Sequence, residues 1–138
     1  MSTDQEVVTE LHKQFVEANT HEDTDWLGAH IVADITWFNL NKSNYFGNDA
    51  ILNLWTWLGE QRPDKSKEAV LTVSNRHVQS NEGAVVVSYD LSVDYDFGDA
   101  AQFHAGARGT EVWFKLDGEF KLVHFHCSEH EPGNMGGL

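Results

Sequence analysis

The spacing of hydrophobic positions changes along the chain and divides it into a helical part and a strand part. Near the start, Val7, Val8, Leu11, Phe15 and Val16 recur at helical spacing and predict an amphipathic helix. Thr3 and Glu6, just ahead of that run, have the spacing of a capping box, in which each side chain satisfies the other's backbone N–H. "HEDTDWLGAHI" predicts a second, shorter helix, capped by Asp23 or Thr24, with Trp26, Leu27 and Ile31 on its buried side. "DITWFNL" has strand character, and the polar "NKSN" turns the chain before Tyr45 and Phe46. A third helix is expected from about Asn48 through "AILNLWTWL", with Gly59 as its terminator. Its Trp55 and Trp57 divide between core and contact surface. "EQRPDKSKE" reads as a charged loop.

From about Ala69 the period drops to two. "AVLTVSNRHVQ" and "AVVVSYDLSVDYDF" flank "SNEG", a hairpin connection. After "DFGDA" a strand runs through "RGTEVWFKL". Asp117–Gly118 then gives the strongest turn signal in the chain, and "EFKLVHFHCS" completes a meander. Helices followed by antiparallel strands make an α+β domain in which the helices cover one face of the sheet. The second long strand places Val85, Val87, Tyr89, Leu91 and Val93 on one face and Val86, Ser88, Asp90, Ser92 and Asp94 on the other. Either the polar face meets solvent, or it lines a wet cavity while the apolar face meets another subunit; composition favours the first.

The chain's 138 residues suit one domain over 1–138, with a loose tail from about 131. A formal net charge of −13 opposes binding to nucleic acid or anionic membranes. No apolar run approaches the roughly 18 residues of a membrane span, and the polar "MSTDQEVVTE" lacks the features of a signal peptide. Cys127 is the only cysteine, which excludes an intrachain disulfide and fits a reducing, cytoplasmic setting.

Candidate chemistry concentrates in "KLVHFHCSEH". On a strand, His124 and His126 share one face, about 6.6 Å apart, with Phe125 and Cys127 on the other. Two such imidazoles could ligate one metal, with His104, Glu129 or His130 as a third ligand, and the pairing is similar to that of cupin metal sites. Too little chain follows His126 to complete a cupin, and no third ligand has a persuasive spacing, so no metal is expected. Cys127 reads as a buried thiol rather than a nucleophile. Nucleotide and dinucleotide fingerprints are absent, and no cofactor is expected. Asp90 and Glu111, mid-strand among apolar or small residues, are the candidate catalytic carboxylates, because burial raises a carboxyl pKa toward the range of a general base or acid.

"GTEVWFKLDGEFKLVHFHCSEHEPG" resembles the closing strands of the calcium/calmodulin-dependent kinase II association (hub) domain. The matching positions are Thr110, Val112, Trp113, Asp117, Gly118, Phe120, Val123, His124, Phe125, His126 and Ser128. Arg108, Thr110, Val112 and Trp113 match the Arg-x-Thr-x-Val-Trp variant of the SnoaL-like, nuclear transport factor 2-like proteins. The resemblance implies a cone-shaped, cystatin-like α+β fold: a curved antiparallel sheet around a long N-terminal helix, with a pocket at the open end. It sends Phe125 and Cys127 inward with Glu111 and Asp90, and His124, His126 and Ser128 outward to a partner sheet. Hub domains line their pocket with arginines, whereas the corresponding positions here hold Asp90, Glu111 and Cys127. That inversion implies a neutral or cationic ligand.

Two functions are expected from this resemblance. The first is a stand-alone, self-associating domain, dimeric or ring-forming, that binds a small molecule. The alternative is a cofactor-free enzyme of the ketosteroid isomerase or polyketide cyclase type. In that enzyme Asp90 or Glu111 would move a proton, Trp37, Tyr45 and Trp113 would form walls, and Tyr45 or His104 would serve as donor.

Overall fold

A computed structural model describes residues 2–61, 69–96 and 102–130. Helix α1 spans Asp4–His21, α2 Thr24–His30 and α3 Asn48–Glu60. The strands are β1 Ile31–Phe38, β2 Asn44–Phe46, β3 Val70–Asn81, β4 Ala84–Asp96, β5 Gln102–Leu116 and β6 Glu119–Glu129. They form one sheet in the order β2-β1-β6-β5-β4-β3. Among the described residues, only the β1–β6 pairing is parallel. This is the helix–helix–strand–helix–meander order expected from the hydrophobic pattern. Most of the charged loop, "DFGDA" except Asp96, and the tail lie outside the described residues.

Local chemistry explains the boundaries. Thr3 accepts the Glu6 N–H at 3.2 Å while Glu6 accepts the Thr3 N–H at 3.3 Å, which makes the reciprocal cap of α1. Asp23 accepts the Trp26 N–H at 3.1 Å and starts α2. Both long hairpins close on two left-handed residues, Glu82–Gly83 (φ 45° and 80°) and Asp117–Gly118 (φ 52° and 81°), whose twist matches the flanking strands. Gly59 is not the terminator of α3. It stays helical in the last turn, and the helix closes at Gln61, whose N–H reaches the Trp57 and Leu58 carbonyls.

The helices lie on the inner face of the sheet, where Val8, Phe15, Leu27, Ile35, Trp37, Ile51, Trp55, Val85, Val87, Trp113, Leu122 and Phe125 form the core. β4 resolves the choice left open by its alternation: Val85, Val87, Tyr89 and Val93 are buried inside. The polar positions face out, and Asp90 goes with them. Cross-strand partners share a face, and Asp90 pairs with Arg108 while Tyr89 pairs with Gly109 and Val87 with Glu111. A one-residue offset is enough to move a side chain across the sheet. The expected inward position of Asp90 is therefore incorrect: its carboxylate is partly exposed, accepts from Asn75 Nδ2 at 2.7 Å and lies 3.9 Å from Arg108 Nε.

Candidate functional site

The inner face of the sheet does not close fully on the helices. A cavity of about 490 Å³ remains between them. β4 contributes Tyr89, Leu91 and Val93 to its wall, β6 Phe125 and Cys127, and β1 Trp37; α3 adds Leu54, Trp55, Trp57 and Leu58. Val16 and Asn19 of α1 complete one side, and Asn39, Leu40 and Asn41 another. Glu22 is the charged group among the described lining residues, and no lysine or arginine is among them. Polar side chains at the wall are tied into local bonds. Asn19 donates to the Phe15 carbonyl at 2.9 Å, Asn39 Oδ1 accepts the Trp37 indole N–H at 2.9 Å, and Asn41 donates to the Tyr45 hydroxyl at 3.0 Å.

Beneath this cavity lies a buried polar group. His12 Nδ1 donates to Glu111 Oε2 at 2.7 Å, with both side chains fully inaccessible, and Trp113 Nε1 donates to Glu111 Oε1 at 3.0 Å. The Tyr89 ring lies 4.7 Å from His12. Burial first, then the charge and acceptor oxygens of Glu111, hold the Tyr89 phenol well above its ordinary value of 10.0. Burial also pushes the Cys127 thiol up to about 11. His12 Nε2 has no partner among the described residues.

The expected site residues therefore separate. Trp37, Phe125 and Cys127 line the cavity. Trp113 and Glu111 point to the same side but lie behind its wall. Tyr45 is half-buried on β2 and reaches the cavity only through Asn41. His104 lies on an exposed position beside Asp94. His124, His126 and Ser128 stand on the outer face, where His124 Nδ1 meets Thr36 Oγ1 at 2.6 Å and Phe38 lies edge-on to both imidazoles. Burial and then neighbouring His126 lower the His124 pKa from 6.5, against an opposing hydrogen bond to the Thr36 backbone. Among the described residues, no group of three His, Cys, Asp or Glu side chains could hold a metal. No helix there is long and apolar enough to cross a membrane.

His12 was not among the expected site residues. Its signal is positional: it lies four residues after Val8 and three before Phe15, on the buried stripe of α1. A histidine there must find a partner inside the fold.

The SnoaL-like domain model matches residues 8–130, nearly the whole described chain. The chain belongs to the SnoaL-like domain family. No curated protein matches this SnoaL-like domain in sequence. Solved structures do share its fold. The CaMKII hub of S. rosetta is 20% identical, with a TM-score of 0.77 over 94% of this chain and 99% of that one. The association domain of C. elegans CaMKII is 16% identical, with a TM-score of 0.68 over 88% and 92%. An NTF2-like protein from Streptomyces avermitilis, provisionally named a dehydratase, is 16% identical, with a TM-score of 0.80 over 93% and 96%. At these identities the likeness shows the fold alone, and a shared fold does not fix a function.

Proposed function

We propose that this SnoaL-like domain is a self-associating, small-molecule-binding protein whose ligand enters the cavity between the sheet and the helices. The observation that carries this reading is the wall itself. About 490 Å³ of mainly aromatic and aliphatic lining, with Glu22 as its charged group among the described residues, suits a neutral or cationic organic molecule. A carboxylate ligand would find no cationic partner among those residues. A cytoplasmic setting agrees with the single, buried thiol of Cys127.

Binding without chemistry has better support than proton transfer. Glu111 is the one expected catalytic acid that faces inward, yet it lies outside the cavity lining and already accepts from His12 and Trp113. A general base must come within hydrogen-bond reach of the proton it removes, and Glu111 is fully buried behind the lining. Asp90 is on the opposite face of the sheet. Self-association draws support from the CaMKII hub and association domains among the structural neighbours. It also draws support from the outer face, where Phe46 is 65% exposed beside Phe38, His124 and His126.

Native mass spectrometry of the untagged chain tests both halves. A multiple of the 15.6 kDa chain mass is expected, reduced to the single chain by Phe46→Asp. An unaltered protein that stays monomeric at tens of micromolar would remove self-association. Adding the neutral fluorophore N-phenyl-1-naphthylamine should give a bound species and enhanced emission, both abolished by the cavity-filling Leu91→Trp. Failure to bind would remove the cavity as a ligand site.

A further inference from the structure

We infer that the cavity's ligand is an uncharged, mainly apolar molecule with a hydrogen-bond-accepting oxygen, and that the side-chain amide of Asn39 donates to this oxygen through Nδ2. This inference rests on the ligand-binding reading above and narrows its ligand class.

Asn39 follows directly on β1 and continues its alternation. Ile35 and Trp37 are buried on the inner face and Phe38 lies on the outer one, so Asn39 returns inward, where it lines the cavity. Its backbone is held in the turn toward β2. Its N–H donates to the Ser43 carbonyl at 3.0 Å, and its carbonyl accepts the Lys42 N–H at 3.0 Å. Asn41 Oδ1 accepts the Ser43 N–H at 3.0 Å and closes the same turn. The Asn39 side chain is thus presented from a braced backbone.

The orientation of the amide follows from its partner. Trp37 Nε1 lies 2.9 Å from Asn39 Oδ1, and an indole N–H only donates, so the amide oxygen must be the atom that faces it. A planar amide that turns its oxygen to the indole turns Nδ2, with two hydrogens, to the other side. Nδ2 makes no hydrogen bond among the described residues. It is not sealed in either, because His12 Nε2 is the one buried, unpartnered side-chain polar atom among them. The amide nitrogen is therefore an open donor on a wall whose main surfaces are Trp37, Trp55, Leu91, Val93 and Phe125.

An open donor sets a condition on the ligand. A wholly apolar molecule covering Nδ2 would strip its water and leave a desolvated N–H, which weakens binding. An oxygen placed there takes over the water's role. A carboxylate would accept as well, but the described lining holds no lysine or arginine to offset its desolvation. Ketones, esters and tertiary amides combine an acceptor oxygen, no charge and a mainly apolar body.

Equilibrium dialysis of the full chain against 2-acetylnaphthalene and 2-isopropenylnaphthalene tests the assignment. The two probes share a shape and differ in C=O against C=CH2. Asn39→Asp is the matching change in the protein, since it keeps an oxygen for the Trp37 N–H and puts a second oxygen where Nδ2 was. It should weaken the ketone about tenfold or more, the contribution of one hydrogen bond, and leave the alkene within about twofold. Ketone affinity unchanged in Asn39→Asp would overturn the donor role and leave the cavity reading intact. Equal losses for both probes would overturn it too, as the mark of a disturbed wall rather than a lost bond, and so would binding of the alkene alone. If neither probe binds the unaltered chain, the ligand-binding reading falls and takes this inference with it. Infrared difference spectra of carbonyl-labelled 2-acetylnaphthalene on the unaltered chain decide the matter even if Asn39→Asp does not fold. The C=O stretch should fall below its position in an alkane solvent, and an unshifted stretch would overturn the inference.

Discussion

At the scale of single residues, the centre of the molecule depends on a missing side chain. Gly109 sits in the middle of β5, with no positive φ to explain it, so its role is steric. Alanine at a strand position gains about 0.5–1 kcal/mol over glycine from backbone entropy. Here the new Cβ would sit 2.7 Å from the Tyr89 ring, closer than real contacts allow, and overpacking of this kind costs about 1–3 kcal/mol. Tyr89 is buried and cannot swing away without leaving the His12 ring, so the steric cost should dominate. We expect Gly109→Ala to lower the urea midpoint by an amount equivalent to about 1–2 kcal/mol, and Tyr89→Leu added to Gly109→Ala to recover part of it. A single variant as stable as the parent would show that the ring relaxes freely and is not fixed over Gly109. The buried His12–Glu111 pair explains why such precision is kept. Leaving a buried polar group without its hydrogen-bond partner commonly costs about 1–3 kcal/mol, so the surrounding groups must hold both in register.

At the scale of elements, the strand period is the organising fact, and β6 offers a direct test of it. His126 is exposed on the outer face, whereas Cys127, one residue on, is buried at the cavity with its thiol raised to about 11. The thiolate is the reactive form, and moving a thiol from its ordinary 9.0 to about 11 lowers the thiolate fraction at pH 8 roughly a hundredfold. Cys127 should therefore react with iodoacetamide at pH 8 at least a hundredfold more slowly in the folded chain than in urea. In His126→Cys/Cys127→Ser, the displaced thiol should react at nearly the unfolded rate. Comparable protection at the two positions would mean that β6 does not alternate between cavity and surface. Because side chains alternate so strictly, the elements were legible in the sequence. The capping box at Thr3 and Glu6, the Asp23 cap and the Asp117–Gly118 turn are local signals that tertiary packing left in place. The inward or outward assignment of a lone acid was less legible. The alternation of β4 put Asp90 on the polar face opposite Tyr89 while the resemblance sent it inward, and cross-strand register with Arg108 decides for the outer face. His12 was hidden for a related reason: helical spacing places it on the buried stripe, but its partner Glu111 is 99 residues away and nothing local announces the pairing.

At the scale of the whole molecule, net charge and local burial act against each other on the outer face, and pH separates them. If copies meet through β1, β2 and β6, His124 lies at the contact. It is bonded to Thr36, edge-on to Phe38, next to His126 on its own strand and opposite Val112 on β5. Its pKa is already depressed below 6.5 in the single folded chain, so that chain binds fewer protons there than the unfolded chain does, and burial against a second copy would deepen the depression. The sign follows from linkage: the stabilisation is complete above about 6.5 and is lost as pH falls through that value toward the lower folded pKa. The eight histidines also act globally, since their protonation reduces a net charge of −13 and weakens repulsion between copies. That second effect is long-range and favours assembly in acid. At 0.15 M salt the Debye length is about 8 Å, which screens distant charges but leaves a cation buried between apolar surfaces almost unrelieved. Local desolvation should therefore win at physiological salt and lose ground at low salt. Sedimentation velocity at pH 7.5 and 5.5 in 0.15 M salt should show the assembly loosening in acid, and His124→Gln, which keeps a polar group but cannot titrate, should blunt the change. Acid-induced tightening, or dissociation identical in His124→Gln, would place the contact between copies elsewhere than beside His124. It would separate the outer histidines from self-association while leaving the cavity untouched.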